Sequence, residues 1–224
     1  MTQRFSAIVQ RIVLICLLMP WLPANAGQVV TADYERAVTV MFWPQLYRNG
    51  GQTLYCRQPF DVRLGLSVEH IYALRWVERA LDCTDTQQCR VQEPSFGFLE
   101  SDLHNMFPAR MGADHARGDF PFGFIPGDRR DFGEECNFKV APAWAYAQPQ
   151  PEVRGPIARA MLYMMREYGL PMPQRTTLTL LRDWHWSDPP DAEDLRRNDE
   201  IERLQGNRNL FVDDPSLADR FVPN

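Results

Sequence analysis

Lysine is almost missing from this chain. Lys139 is the only one among 24 basic residues, so the positive charge is carried by arginine, the planar fork suited to phosphate. An arginine-rich composition follows equally well from a GC-rich genome. A basic excess is missing too. The formal net charge is −5, which argues against tight, nonspecific nucleic-acid binding, since that usually shows a basic footprint. No CxxC pair with a nearby histidine occurs, which leaves a structural zinc site without support. A membrane span needs about 20 apolar residues in a row, and nothing after the N-terminus approaches that. Internal repeats and low-complexity tracts are absent as well.

What is present begins with an export signal. Arg4 and Arg11 flank the approach to an apolar run, Ile12 to Met19, and Ala24-Asn25-Ala26 has the small-x-small form of a signal-peptidase site. The sequence therefore predicts a removed segment over 1–26 and a single domain over 27–224, long enough to bury a core. A retained anchor is the competing reading, but the apolar run is too short to span. Taking Arg4 and Arg11 from the 24 basic residues leaves 22 against 29 acidic ones, a net charge of −7. Cys16 leaves with the segment. Cys56, Cys83, Cys89 and Cys136 remain, and an even count in an exported chain predicts two disulfides. Three pairings are possible; Cys83 and Cys89 could close a tight loop, leaving Cys56 with Cys136.

Hydrophobic periodicity outlines the elements. Tyr34, Val38, Met41 and Phe42 predict a helix over 32–48, stopped by Asn49-Gly50-Gly51. Val62, Leu64, Leu66 and Val68 alternate as a half-buried strand that runs into Glu69-His70. Ile71, Leu74, Val77 and Leu81 return to helical spacing. Ser95 to Phe107 reads as one or two strands ending at Pro108, Gly112 to Gly118 as a brief helix, and 118–136 as an irregular loop. Ala141 to Pro151 reads as an extended connection. The last third is helical: 153–168 with an apolar Met161/Met164 stripe and Gly169 as its cap, about 174–186 with Thr177, Leu178, Leu181 and Trp184 inward, and 191–205 before Gly206. His185 is read as packed within its aromatic cluster. The fold class expected is α+β.

The chemistry concentrates in Ser67-Val68-Glu69-His70 and in the run from Glu100 to Phe120. A carboxylate pair can hold a hard divalent cation, and a neutral imidazole beside it can take a proton from water. Alone, Glu-His is a common dipeptide and a weak signal, and a histidine merely satisfied near a strand end is the better explanation of it. The wider pattern adds Glu100-Ser-Asp102-Leu-His104-Asn105-Met-Phe-Pro108-Ala and Gly112-Ala-Asp114 with Arg117-Gly-Asp-Phe120. It continues through Cys136-Asn-Phe-Lys-Val140, Arg154-Gly155-Pro-Ile157-Ala158-Arg159, Tyr163-Met164, Tyr168 and Gln205-Gly206-Asn207-Arg208-Asn209. In this order and spacing the chain resembles the endonuclease I family of secreted nucleases, members of the His-Me finger (ββα-metal) group.

That resemblance implies a ββα-metal core with a helical, disulfide-stabilised C-terminal half. It implies His70 as general base, with Glu69 and Asp114 holding one Mg²⁺ that Mn²⁺ or Ca²⁺ can replace. Asp114 departs from the family's usual asparagine; it adds charge that tightens the cation and lowers its electrophilicity. The family's transition-state arginine, carried in the disulfide loop, is missing from the shorter Thr84-Asp85-Thr86-Gln87-Gln88, and Arg90, Arg110 or Arg117 can take its place. Glu100, Asp102, His104 and Asn105 are expected to brace the site or orient a water. Arg110, Arg159, Asn207 and Asn209 are expected near substrate, with helix capping the alternative for the two asparagines. His115 has no matching role. The activity implied is exported, sequence-nonspecific hydrolysis of DNA, with RNA left open, to 5′-phosphate and 3′-hydroxyl ends, by a periplasmic or secreted monomer free of the membrane. The alternative is a non-catalytic nucleic-acid- or anion-binding module that retains the fold.

Overall fold

Asp33 starts the first helix: its side chain accepts from the Arg36 amide at 3.0 Å, supplying a partner that a helix start otherwise lacks. The computed structural model describes residues 27–223, and the expected export segment, 1–26, lies outside them. Helix α1 (Tyr34–Arg36) runs directly into a π-helix (Ala37–Leu46) that contains Pro44 and buries Met41, Phe42, Trp43 and Leu46. Gly50 follows at φ 79°, where a Cβ would come within 2.0 Å of the Phe60 carbonyl oxygen; only glycine fits. A two-residue ribbon, β1 (Gly51–Gln52) with β2 (Pro59–Phe60), completes this opening section.

The centre is a strand pair followed by a helix. β3 (Leu66–His70) lies antiparallel to β4 (Met106–Arg110), with Glu69 opposite Phe107 and His70 opposite Met106. The alternation expected over 62–68 is realised only from Leu66 onward. Val62 and Leu64 stay exposed because no strand lies against them. Pro108 sits inside β4 rather than ending it. In a two-stranded ribbon every strand is an edge, so the missing amide is tolerated, and the Pro108 carbonyl accepts from the Leu54 amide at 2.7 Å.

Between the two strands come three short helices, α2 (Leu74–Ala80), α3 (Thr86–Gln92) and α4 (Phe96–Glu100). Of the strands expected over Ser95 to Phe107, only Met106 and Phe107 are extended, as the start of β4; α4 and a turn take the rest. Phe96 and Leu99 are the buried apolar positions of α4; their three-residue spacing fits a helix face and not a strand. Half of the expected Cys83–Cys89 loop is also helical, since Asp85 caps α3 by accepting from the Gln88 amide at 2.8 Å. Helix α5 (Met111–Arg117) follows β4 with no linker.

Disulfides join Cys56 to Cys136 and Cys83 to Cys89. A hairpin, β5 (Lys139–Ala141) with β6 (Tyr146–Gln148), leads into the helical part. There α6 (Arg154–Tyr168), α7 (Leu178–Ser187) and α8 (Ala192–Gln205) are followed by the short α9 (Leu210–Asp213) and α10 (Leu217–Arg220). Ile157, Met161, Leu162, Tyr163 and Met164 of α6 are fully buried, and Gly169 closes the helix at φ 63°. Asp191 and Asp194 form a capping box on α8, and Gly206 ends it at φ 81°. Thr177, expected inward, is instead exposed and caps α7 through its hydroxyl, which accepts from the Leu180 amide at 3.1 Å. The architecture is α+β: helices around three small antiparallel ribbons.

Candidate active site

Glu69 and His70 are the last two residues of β3, and both are buried. Successive strand residues find different surroundings. One oxygen of Glu69 accepts from the Tyr55 hydroxyl at 2.6 Å and from an Arg117 amino group at 2.9 Å. Asp114, on α5, lies close enough for its carboxyl to act on that of Glu69. Burial pushes the Glu69 carboxyl well above its ordinary range; Arg117 opposes this, and Asp114 adds to it. The raised carboxyl therefore holds its proton more tightly than an exposed glutamate does.

The His70 ring turns elsewhere. Its Nε2 lies 2.8 Å from the Glu100 carbonyl oxygen. A carbonyl only accepts, so Nε2 carries the hydrogen and the neutral ring keeps its lone pair on Nδ1. Burial lowers the imidazole pKa, partly offset by the Glu100 carbonyl and by the negative charges of Glu100 and Asp114. The ring is thus uncharged at neutral pH. Asp114 lies within electrostatic reach of both Glu69 and His70, so residues from β3 and α5 meet at one corner.

The expected arginines separate sharply. Arg117 is 1% exposed. Besides Glu69 it donates to the carbonyls of His70 at 3.0 Å and Ile71 at 2.8 Å, and its guanidinium lies between the rings of Trp76 and Phe122. It clamps the end of β3 to α5, which corrects the expectation of a substrate-facing group: a fully enclosed guanidinium has no route to a ligand. Arg159 is also 1% exposed. It donates to the Asp188 carbonyl at 2.8 Å and the Asp194 carboxylate at 2.6 Å, so the expected substrate contact is instead a tie between α6 and the start of α8. Arg90 is different. Two of its nitrogens grip the Glu100 carboxylate at 2.9 and 2.6 Å, yet its side chain remains 44% exposed. Arg110 is exposed and donates to Gln58 at 2.7 Å.

The expected bracing residues form an interior network. The Asp102 carboxylate accepts from Tyr163 and Tyr168 hydroxyls, both at 2.6 Å, from Gln205 at 2.8 Å and from the His104 amide at 2.9 Å. Asn105 exchanges hydrogen bonds with both backbone groups of Tyr72, at 2.7 and 3.0 Å, holding the chain where it leaves β3. Asn207 donates to Tyr163 at 2.6 Å. Asn209 caps α9 by accepting from the Phe211 amide at 3.0 Å and donates to the Arg159 carbonyl at 3.1 Å. Both asparagines are used within the fold. His115 is exposed, and His185 is enclosed, with Nε2 3.0 Å from the Pro215 carbonyl.

His104 carries a testable acid sensitivity. Its ring packs at a tilt against that of Tyr163, centroids 4.6 Å apart, and burial brings its pKa down to about 4. Between pH 6.5 and about 4 the unfolded chain binds a proton that the folded one refuses, so stability falls as pH falls through that window. The full loss is about 3 kcal/mol. Urea unfolding at pH 7 and pH 4.5 will show a large part of it, and His104→Gln will flatten the difference. An unchanged difference in that variant refutes the assignment.

Two residues of this corner escaped the sequence reading. Tyr55, which holds Glu69, stacks on Phe138 at 4.1 Å beside the Cys56–Cys136 bridge; adjacency to Cys56 was its only sequence signal. Tyr34, counted above as a core position, has its ring 5.7 Å from that of His70. A cavity of about 570 Å³ lies elsewhere, between the turn at Tyr47–Thr53 and the start of α8. It holds none of Glu69, His70 or Asp114, so convergent titrating groups rather than volume mark the site.

A family model described as Endonuclease I matches residues 66–216. The chain belongs to the endonuclease I family. Its relatives include an extracellular deoxyribonuclease of Aeromonas hydrophila, 36% identical over 119 residues, 53% of this chain and 51% of the relative. A periplasmic deoxyribonuclease of the same organism is 35% identical, over 53% of this chain and 49% of its own. An extracellular ribonuclease of Bacillus amyloliquefaciens is 32% identical, over 54% and 46%. This endonuclease I family member spans about half the length of the curated relatives it matches.

Proposed function

We propose that this chain is an exported, cation-dependent endonuclease that hydrolyses nucleic-acid phosphodiester bonds without reading base sequence. The observation that carries this reading is the meeting of Glu69, His70 and Asp114 at the junction of β3 and α5. Family membership and the names of the relatives, deoxyribonucleases and ribonucleases, support it. RNA is therefore tried beside DNA as a substrate. Two disulfides fit action outside the cytoplasm, and the enzyme is taken to work as a monomer.

The donor set fits a hard divalent cation. Two neighbouring carboxyls, the Glu69 one pushed up by burial, gain when a positive charge comes between them. Among the described residues no group of three or more His, Cys, Asp or Glu side chains is arranged for a metal. A two-carboxylate site suits Mg²⁺, which keeps several waters and takes substrate phosphate as a ligand. When bound, Mg²⁺ (or Mn²⁺ or Ca²⁺ in the same ligands) neutralises charge at the scissile phosphate and at the leaving 3′ oxygen.

The chain's own residues supply the rest. Neutral His70 takes a proton from the attacking water at Nδ1, its ring held by the Glu100 carbonyl. Arg90, half open to solvent, uses donors not engaged by Glu100 to meet the non-bridging oxygens as charge spreads. Arg117 and Tyr55 keep Glu69 in place and touch no substrate. Departure of the 3′ oxygen yields 3′-hydroxyl and 5′-phosphate ends.

Plasmid nicking by oxidised, folded protein, with EDTA and then excess Mg²⁺, tests the reading. No cleavage with Mg²⁺ restored sinks it. DNA retention without cleavage favours a binding module instead, which the arginine-free disulfide loop motivates. Glu69→Gln makes a separate prediction. Because the folded pKa of Glu69 is raised, the ion-free protein loses stability as pH rises through that pKa, and the neutral amide avoids the loss. At pH 8 the variant should melt at or above the ion-free wild type and lose its Mg²⁺-induced rise in Tm. An equal Mg²⁺ rise in both proteins contradicts the ligand assignment.

A further inference from the structure

Beside His70 lies a second cavity, of about 450 Å³, walled by Asp33–Glu35 of the first helix, by Arg90, Glu93 and Pro94, and by Gly97 and Glu100 of α4. Its volume is in the range of small-ligand sites. It adjoins the catalytic corner through two of its walls. Tyr34, half-buried, sets its ring 5.7 Å from the His70 ring. Glu100 contributes both the carbonyl that holds His70 and the carboxylate that holds Arg90. The walls are also tightly joined: a Cβ at Gly97 would stand 2.4 Å from the Ala32 carbonyl oxygen, so the two backbones touch and the cavity is preformed.

The lining discriminates between parts of a nucleotide. Asp33 is occupied as a helix cap and Glu100 by Arg90. Glu35 and Glu93 remain as acceptors around an aromatic ring. Carboxylates repel a phosphate but accept from the amino and imino hydrogens of a base, and a tyrosine face stacks on any base. The Tyr34 hydroxyl, pushed up to about 12 by burial and by Glu100 and Asp114, stays protonated and able to donate.

We propose that this cavity is a subsite for one unpaired nucleobase next to the scissile phosphate, with Tyr34 as its stacking platform. The inference rests on the phosphodiesterase reading of the His70 corner and adds to it a preference for single strands, loops and ends. A base inside a duplex is already paired and stacked, and can enter only after unstacking. Tyr34 lies outside residues 66–216, the part matched by the family model.

The experiment compares wild type, Tyr34→Phe, Tyr34→Ala and Tyr34→Leu on a single-stranded oligonucleotide and a hairpin duplex of the same sequence. The leucine variant keeps an apolar side chain should alanine fail to fold. Stacking on one aromatic ring is worth about 10- to 100-fold. The single-strand over duplex ratio of kcat/KM should fall by that factor in the alanine and leucine variants, through KM, and persist in the phenylalanine variant. A ratio that stays put, or a loss confined to kcat, overturns the proposal, since that is the signature of a residue that only steadies His70. In parallel, a single strand carrying 2-aminopurine is titrated into each protein in EDTA. Quenching by wild type and the phenylalanine variant alone is expected, and equal quenching by all four overturns the subsite. Quenching by a wild type that cleaves neither substrate breaks the nuclease reading and leaves the subsite standing; neither quenching nor cleavage ends both.

Discussion

His70→Ala lowers kcat on plasmid DNA by about 10²- to 10⁴-fold at pH 7.5, the usual contribution of a positioned general base, and leaves the Mg²⁺-induced rise in Tm in place. The two halves of that result belong together. The imidazole donates from Nε2 to the Glu100 carbonyl and is not one of the two proposed cation ligands, Glu69 and Asp114. On the proposed reading, removing it takes away the proton acceptor without touching the cation's ligands. The pH profile carries the same signature. Burial holds the imidazole pKa below its ordinary value, so wild-type kcat/KM stays high at pH values where an exposed histidine is already charged. It then falls on further acidification, as the protonated ring can no longer accept. The alanine variant should lose that acid limb, its residual rate following hydroxide instead. A variant with wild-type kcat, or one in which the Mg²⁺ shift disappears as well, removes His70 from the role.

Asp102→Ala unfolds the protein far more easily while leaving the chemistry of folded molecules alone. The carboxylate is fully enclosed and takes four donors, two tyrosine hydroxyls from α6, the Gln205 amide from α8 and the backbone amide of His104. Each donor stranded in the interior costs about 1–3 kcal/mol, and partial refilling by water brings the sum to roughly 3–5 kcal/mol. For a domain of this size that is a fall in Tm of about 10–15 °C. Thermal unfolding by circular dichroism measures it. Asp102→Asn, which keeps the shape and one carbonyl oxygen, should lose less. At a temperature where the alanine variant remains folded, its kcat should stay within a few-fold of wild type, because nothing on Asp102 reaches the His70 corner. A loss of under about 1 kcal/mol, or a kcat collapse in folded protein, contradicts the bracing role.

Much of the chain was legible without coordinates, and the legible parts share a cause. Helices α6 and α8 were readable because their signals are local: the apolar stripe that includes Met161 and Met164, and the glycines at 169 and 206 that end them in left-handed turns. The path of β3 into Glu69-His70 was readable from alternation alone, although only its end, Leu66–His70, became a strand. Helix α4 was misread because Phe96 and Leu99 lie in a short apolar run where strand and helix patterns coincide.

The order of residue types along the chain, by itself, determined which side chains were available for the chemistry: one Glu-His pair, one following acid on a short helix, and arginine as nearly the only cation. Tertiary structure alone decided which of them meet and which are enclosed. Arg90, Arg117 and Arg159 are equivalent as letters. Arg117 became a buried clamp because Glu69 and the carbonyls of His70 and Ile71, 46–48 residues away, converge on it, whereas Arg90 kept an open face. Burial is a property of what arrives from elsewhere in the chain, and so are the lowered imidazole pKa, the paired carboxyls and the tyrosine set beside them.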